Sequence, residues 1–125
     1  MFGLVAIGCR GITTVEPTTE NEVRVLAETD RLAGVLGVKV RGEITDYVLE
    51  RSNAECGIGV AHCIAAAWYE RGVCYYYRPE INRYSLEFMT DLAAHEVCHS
   101  KHFFHDHKHW QCMVDLGAIP TYPEP

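Results

Sequence analysis

Residues 95–110 read HEVCHSKHFFHDHKHW, and six of the seven histidines of the chain stand between His95 and His109. The stretch opens with His95-Glu96-x-x-His99. A helix over 85–101 puts His95 and His99 one turn apart on one face. Two imidazoles so placed can bind one Zn²⁺ through nitrogen. Glu96 then stands next to the ion rather than on it. A carboxylate there can take a proton from metal-bound water and pass it to a leaving amine. Leu86, Met89, Leu92, Ala93 and Val97 form the stripe that this helix buries. The plain alternative, a polar helix end with solvated histidines, leaves the spacing of the later histidines without a role.

A catalytic zinc site wants three protein ligands and one open position. His102, His105, Asp106, His107 and His109 are the candidates for the third. His102 shares the helix face, but it lies about 10.5 Å of helix rise from His95, too far for one ion also held by His99. His105 serves if the helix ends near Phe103 and the chain folds back. Asp106 is placed to cap a last helix over 107–116, with Trp110, Met113 and Val114 inward and Gly117 as its stop. The tail 118–125 holds three prolines and reads as an extended, disordered terminus; the other possibility is that it lies in the cleft.

Working back from the metal helix, Ser85 is its N-cap and Glu87 lies in its first turn. The run VAHCIAAAWY over 60–69, the turn at Arg71-Gly72 and VCYYY over 73–77 make a hairpin in which facing residue numbers sum to 143. Cys74 then faces Tyr69, and Cys63 is several rungs away. Pro79 ends the second strand. Residues 50–57 are a polar loop, and Gly57-x-Gly59 lacks a phosphate-binding context. Val38 to Arg41 alternates like a strand that Gly42 breaks or bends, and 44–49 continues as strand or turn. Thr19-x-x-Glu22 is a capping box ahead of a helix over 20–36, with Val25, Leu26, Thr29, Leu32, Ala33 and Leu36 on one face. Its charges read as a solvated face, and Gly37 stops it.

The whole is one α+β domain over 1–125, with strands, a backing helix, the metal helix and a C-terminal helix. The net charge is −6, so no basic surface points to nucleic acid. No apolar run is long enough to span a bilayer. The start, MFGLVAIGCRG, reads as a first strand or loop over 1–18, with a bacterial lipoprotein cleavage site as the alternative. Six cysteines without a CxxC pair are read as reduced thiols in a cytoplasm, with an exported, disulfide-bonded protein as the alternative.

The same stretch resembles known families. His95-x3-His99-x5-His105 has metzincin spacing in part, with His102 in place of the turn glycine. The closer likeness is to the SprT-like and YgjP-like zinc metallopeptidases, whose HExxH is followed by a later histidine and an aromatic residue, here His105 and Trp110. The tyrosine- and cysteine-rich hairpin before the metal helix is similar as well. Ser100 and His109 depart from the pattern. The resemblance implies a minimal zincin core, a small mixed sheet with a backing helix and an active-site helix, with zinc on His95, His99 and His105, and a sheet-edge strand, residues 73–77, that pairs with an extended peptide substrate.

The expected function is zinc-dependent endopeptidase activity with Glu96 as general base and acid; the alternative is a non-catalytic or latent zinc-binding domain. Tyr77, Tyr84 and His109 are the auxiliary candidates for holding an oxyanion.

Overall fold

The computed structural model describes residues 6–7, 12–52 and 62–125. Helix α1 runs Glu20–Leu36 and is closed at both ends by the residues its sequence offers. The Thr19 hydroxyl accepts the Glu22 N–H at 3.1 Å, and Gly37 ends the helix in the left-handed conformation, φ 76°. Val25, Thr29, Leu32 and Ala33 are buried, as the spacing predicts. Glu22 is not on a solvated face. It is fully buried and meets Arg78 at 3.1 Å.

Strand β3 is Arg41–Thr45, displaced toward the C-terminus from the expected 38–41. Gly42 lies inside it and does not break it. A Cβ at Gly42 would sit 2.8 Å from Leu26 Cδ2 and 3.3 Å from Tyr76 Cε2. The glycine is there to let α1 press on the sheet.

The hairpin forms with the expected turn and register. Strands β6, Ala67–Glu70, and β7, Val73–Tyr77, pair with Tyr69 opposite Cys74. Arg71 and Gly72 both have positive φ, 50° and 85°, as a two-residue hairpin turn requires. The arm before it is shorter than the apolar run. Strand β5, His62–Ile64, pairs instead with β4, Glu50–Ser52, in a separate two-stranded sheet. Residues 53–61, which carry Cys56 and the Gly57-x-Gly59 pair, lie outside the described residues, as does Cys9.

The main sheet adds β1, Ala6–Ile7, and β2, Thr13–Val15, in the order β1-β2-β3-β7-β6. β3 and β7 are parallel and the other pairs antiparallel, so the sheet is mixed. This order corrects one expectation. Residues 73–77 are not an edge strand: β3 and β6 take up both sides of β7. Tyr75 and Tyr76 are core residues, and β6 is the end of the sheet.

Pro79 does not close an edge either. It enters a short helix, α2, Arg78–Ile81, where a missing N–H costs nothing. Helix α3, Phe88–Cys98, crosses behind it. The Ser85 hydroxyl accepts the Phe88 N–H at 3.2 Å, so Ser85 caps the entry turn, three residues ahead of the helix proper. α3 is buried almost all round, Met89, Leu92, Ala93, Ala94 and Val97 included. α1 packs along one side of it. Helix α4, His107–Asp115, follows and buries His109, Cys112 and Met113; Val114 is exposed and Trp110 only half-buried.

A disulfide joins Cys98 of α3 to Cys112 of α4, with Cα atoms 6.0 Å apart. The expectation that all six thiols are reduced fails here, because α4 folds back across the end of α3 and brings the pair into bonding range. Cys74 is a buried free thiol. Among the described residues no helix is long and apolar enough to cross a membrane.

Candidate metal centre

α3 delivers His95, Glu96 and His99 to one place. The helix ends after Cys98 by tightening: the N–H groups of His99, Ser100 and Lys101 bond three residues back, to Glu96, Val97 and Cys98. The chain then turns through Phe103 and Phe104, both exposed, and returns His105 to the helix end. The helix stops sooner than the Phe103 limit, and the fold-back that His105 needs is present.

The outcome is a triangle of imidazole nitrogens. His95 Nε2 and His99 Nε2 are 3.1 Å apart. His105 Nε2 is 3.0 Å from each of them. A neutral imidazole nitrogen either carries a proton or offers a lone pair, not both. Three mutual contacts would need at least one nitrogen to donate and accept at once. No distribution of protons satisfies that triangle, whereas one cation shared by three lone pairs does. The ring orientations agree. His99 Nδ1 lies 3.0 Å from the His102 carbonyl, which can only accept. Nδ1 therefore carries the proton, and Nε2 presents its lone pair to the cluster. His95 Nδ1 lies 2.6 Å from the Thr121 hydroxyl, an available acceptor. Donation of the outer N–H to an oxygen is how metal-bound histidines are usually oriented. His102 enters through its backbone, in keeping with its exclusion as a ligand.

His109 belongs to the same cluster. Nitrogens of His95, His99 and His109 fall within 4.8 Å of one another, so this trio alone could hold a metal ion. His109 differs from His105 in its hydrogen bonds. His109 Nε2 donates to the His95 carbonyl at 2.8 Å, and its Nδ1 accepts from the Tyr122 hydroxyl at 2.5 Å. Both nitrogens are engaged. Burial lowers the pKa of His109, against the raising effect of its bond to the His95 carbonyl, and His105 and His102 add to the lowering.

Glu96 is buried, 4 % exposed, and its Oε2 stands 4.0 Å from His95 Nε2. The carboxylate is beside the triangle, as the sequence places it. Its charge reaches the sheet behind: the Cys74 thiol is pushed up by burial and then by Glu96.

Two tyrosines singled out by sequence are elsewhere. Tyr77 packs on the Trp68–Tyr75 cluster. Tyr84 lies on Phe88, ring centres 4.9 Å apart. The ring against the imidazoles is Tyr122, 5.0 Å from His105 and 5.6 Å from His109. Sequence reasoning held the tail to be disordered. It is ordered because α4 ends in a Schellman turn: Gly117, φ 80°, and Ala118 donate to Val114 and Met113. The turn sends the chain back along α3, where Ile119 N–H bonds Asp91 at 2.8 Å. Gly117 after a capped helix was the available signal.

Compared with known proteins, the chain matches no family model, no curated protein and no solved structure.

Proposed function

We propose that the chain is a zinc-dependent endopeptidase built on a minimal zincin core, with His95, His99 and His105 as metal ligands and Glu96 as proton carrier. The observation that carries this reading is the nitrogen triangle, 3.0–3.1 Å on each side, with a buried carboxylate 4.0 Å from one corner. The all-nitrogen donor set suits zinc. When bound, the ion supplies a Lewis acid for a scissile carbonyl and lowers the pKa of water. Glu96 accepts the proton released on attack and returns it to the departing amine. Its place in a low-dielectric wall keeps that carboxylate close to the reacting atoms and away from bulk water. An extended peptide adding to the sheet meets β6, residues 67–70, since β7 is interior. The Cys98–Cys112 bond supports an oxidising, exported setting over the cytoplasm.

The test is metal content and proteolysis on one preparation. Purified protein carries about one zinc per chain and cleaves unfolded casein. Glu96→Gln keeps the zinc and loses hydrolysis by roughly 10²–10⁴-fold, the usual worth of a general base. Equal cleavage by both proteins would sink the mechanism. A zinc-loaded wild type inert on varied peptides would leave the non-catalytic zinc-binding domain.

A further inference from the structure

The C-terminal segment touches the cluster at two independent points. Thr121 Oγ1 is 2.6 Å from His95 Nδ1. The Tyr122 hydroxyl is 2.5 Å from His109 Nδ1, and His109 in turn donates to the His95 carbonyl. Ala118 is buried, and Ile119 is tied to Asp91 one turn before His95. The segment is thus fixed on the helix that carries two of the imidazoles. Each contact decides where a proton sits. For His95 to offer Nε2 to the triangle, Nδ1 must hold the proton and needs an acceptor; Thr121 is that acceptor. In the neutral ring of His109, donation from Nε2 to a carbonyl leaves Nδ1 bare and in need of a donor; Tyr122 is that donor, its hydroxyl nearer to Nδ1, at 2.5 Å, than to the Asp106 carbonyl, at 3.5 Å.

We propose that Thr121 and Tyr122 are positioning residues of the metal centre, setting the tautomers of His95 and His109 from the C-terminal segment. This rests on the metal reading above and adds a requirement to it: the site is incomplete without the last residues of the chain. Thr121 acts on a ligand directly. Tyr122 acts through His109 on the main chain that carries that ligand, and its ring covers His105. Partners that orient metal-bound histidines are typically worth 10–100-fold in metal affinity.

Deleting 118–125 uncovers core at Ala118, so point variants are the better probes. Thr121→Val removes the acceptor at nearly constant shape, Thr121→Ser restores it, and Tyr122→Phe removes one hydroxyl. Two readouts are taken on the full chain. Side-chain nitrogen shifts of the metal-free protein, near pH 8 so that the imidazoles are neutral, report each tautomer. Competition with a chromophoric chelator reports zinc affinity. Thr121→Val is expected to turn His95 into a mixture of tautomers and to weaken zinc binding about 10–100-fold. Thr121→Ser stays within a few-fold of wild type. Tyr122→Phe mixes the tautomers of His109 and weakens zinc about 10-fold, with the fold unchanged by circular dichroism. Unaltered nitrogen shifts together with unaltered affinity in both Thr121→Val and Tyr122→Phe overturn the proposal. Failure of the wild type to take up zinc overturns the metal reading instead, and the shifts of the metal-free proteins then judge the tail on their own: a tautomer change supports its positioning role and no change refutes it.

Discussion

His105 and His109 show how little separates a ligand from its support. Both rings sit within about 5 Å of His95, 4.8 Å in each case, and both were visible in the sequence as histidines past the helix end. Spacing alone ranked His105 first; in the structure His109 has engaged both nitrogens, with a carbonyl and a hydroxyl, while His105 stands on the nitrogen triangle. The two therefore separate by experiment. After dialysis against a weak chelator, His105→Ala should retain well under one zinc per chain by metal analysis. His109→Phe should still bind one zinc, with an affinity lowered about 10–100-fold through the His95 main chain. The reverse ranking would make His109 the ligand. Glu22 is the residue that sequence could not place. A charge in a capping box is ordinarily solvated, and here the Thr18 N–H together with the long-range approach of Arg78 and Asn82 makes burial tolerable. Burial works against its ionisation, yet the Thr18 N–H, Asn82 and Arg78 outweigh that and hold the carboxyl below its ordinary pKa.

Among the elements, α3 is the one on which the others converge, and each contact is made by a different chemistry. α4 is tied to it by the disulfide, the tail by Asp91, and α1 by Glu28, which accepts from Thr90 at 2.7 Å. Helix periodicity made α1 and α4 legible nearly to the residue, because each has a capping side chain and a terminal glycine. α3 was legible by its motif, and its bounds were overrun because Ser85 caps a turn ahead of the helix. Glu28 gives this packing a pH signature. Hydrogen bonds from Arg31 come first in holding its carboxyl down; burial opposes them, and Thr90 adds to the lowering, to about 2 from 4.5. A carboxyl depressed on folding contributes stability above its unfolded pKa and loses it as pH falls toward the folded value. The stability advantage of wild type over Glu28→Gln should thus be full above about pH 5 and shrink between 4.5 and 2. Urea unfolding of both proteins across that range measures it, and a pH-independent gap would show that the Glu28 charge, held by Arg31 of its own helix and by Thr90 of α3, adds nothing to stability.

For the molecule as a whole, the α+β layering followed from local pattern, and the strand order did not. A parallel pair such as β3 and β7 joins residues about thirty apart, Arg41 with Val73 for one, and no local signal encodes it. The same holds for the bond between Cys98 and Cys112 and for the path of the tail, all of which depend on where α4 comes to rest. These non-local contacts divide the molecule into a core of α1, α3, the sheet, α4 held by its disulfide and the segment 118–122 held on α3, and a cap made of residues 99–106. The cap closes on three nitrogens whose mutual contacts no set of protons can satisfy, so on the metal reading proposed above its closed form depends on the ion while the core does not. Metal removal should therefore act locally before it acts globally. By linkage, zinc at about a thousand times its dissociation constant adds about 4 kcal/mol to stability. At this chain length that corresponds to roughly 10–20 °C in melting temperature. Hydrogen exchange on the chelator-treated protein should show the amides of 99–106 losing protection, while those of α1, β3 and β7, built on Leu32, Ile44 and Tyr76 at 0–1 % exposure, exchange only by global opening. A melting temperature indifferent to chelator and zinc would contradict a cation-bound triangle, and uniform loss of protection would contradict a cap separable from its core.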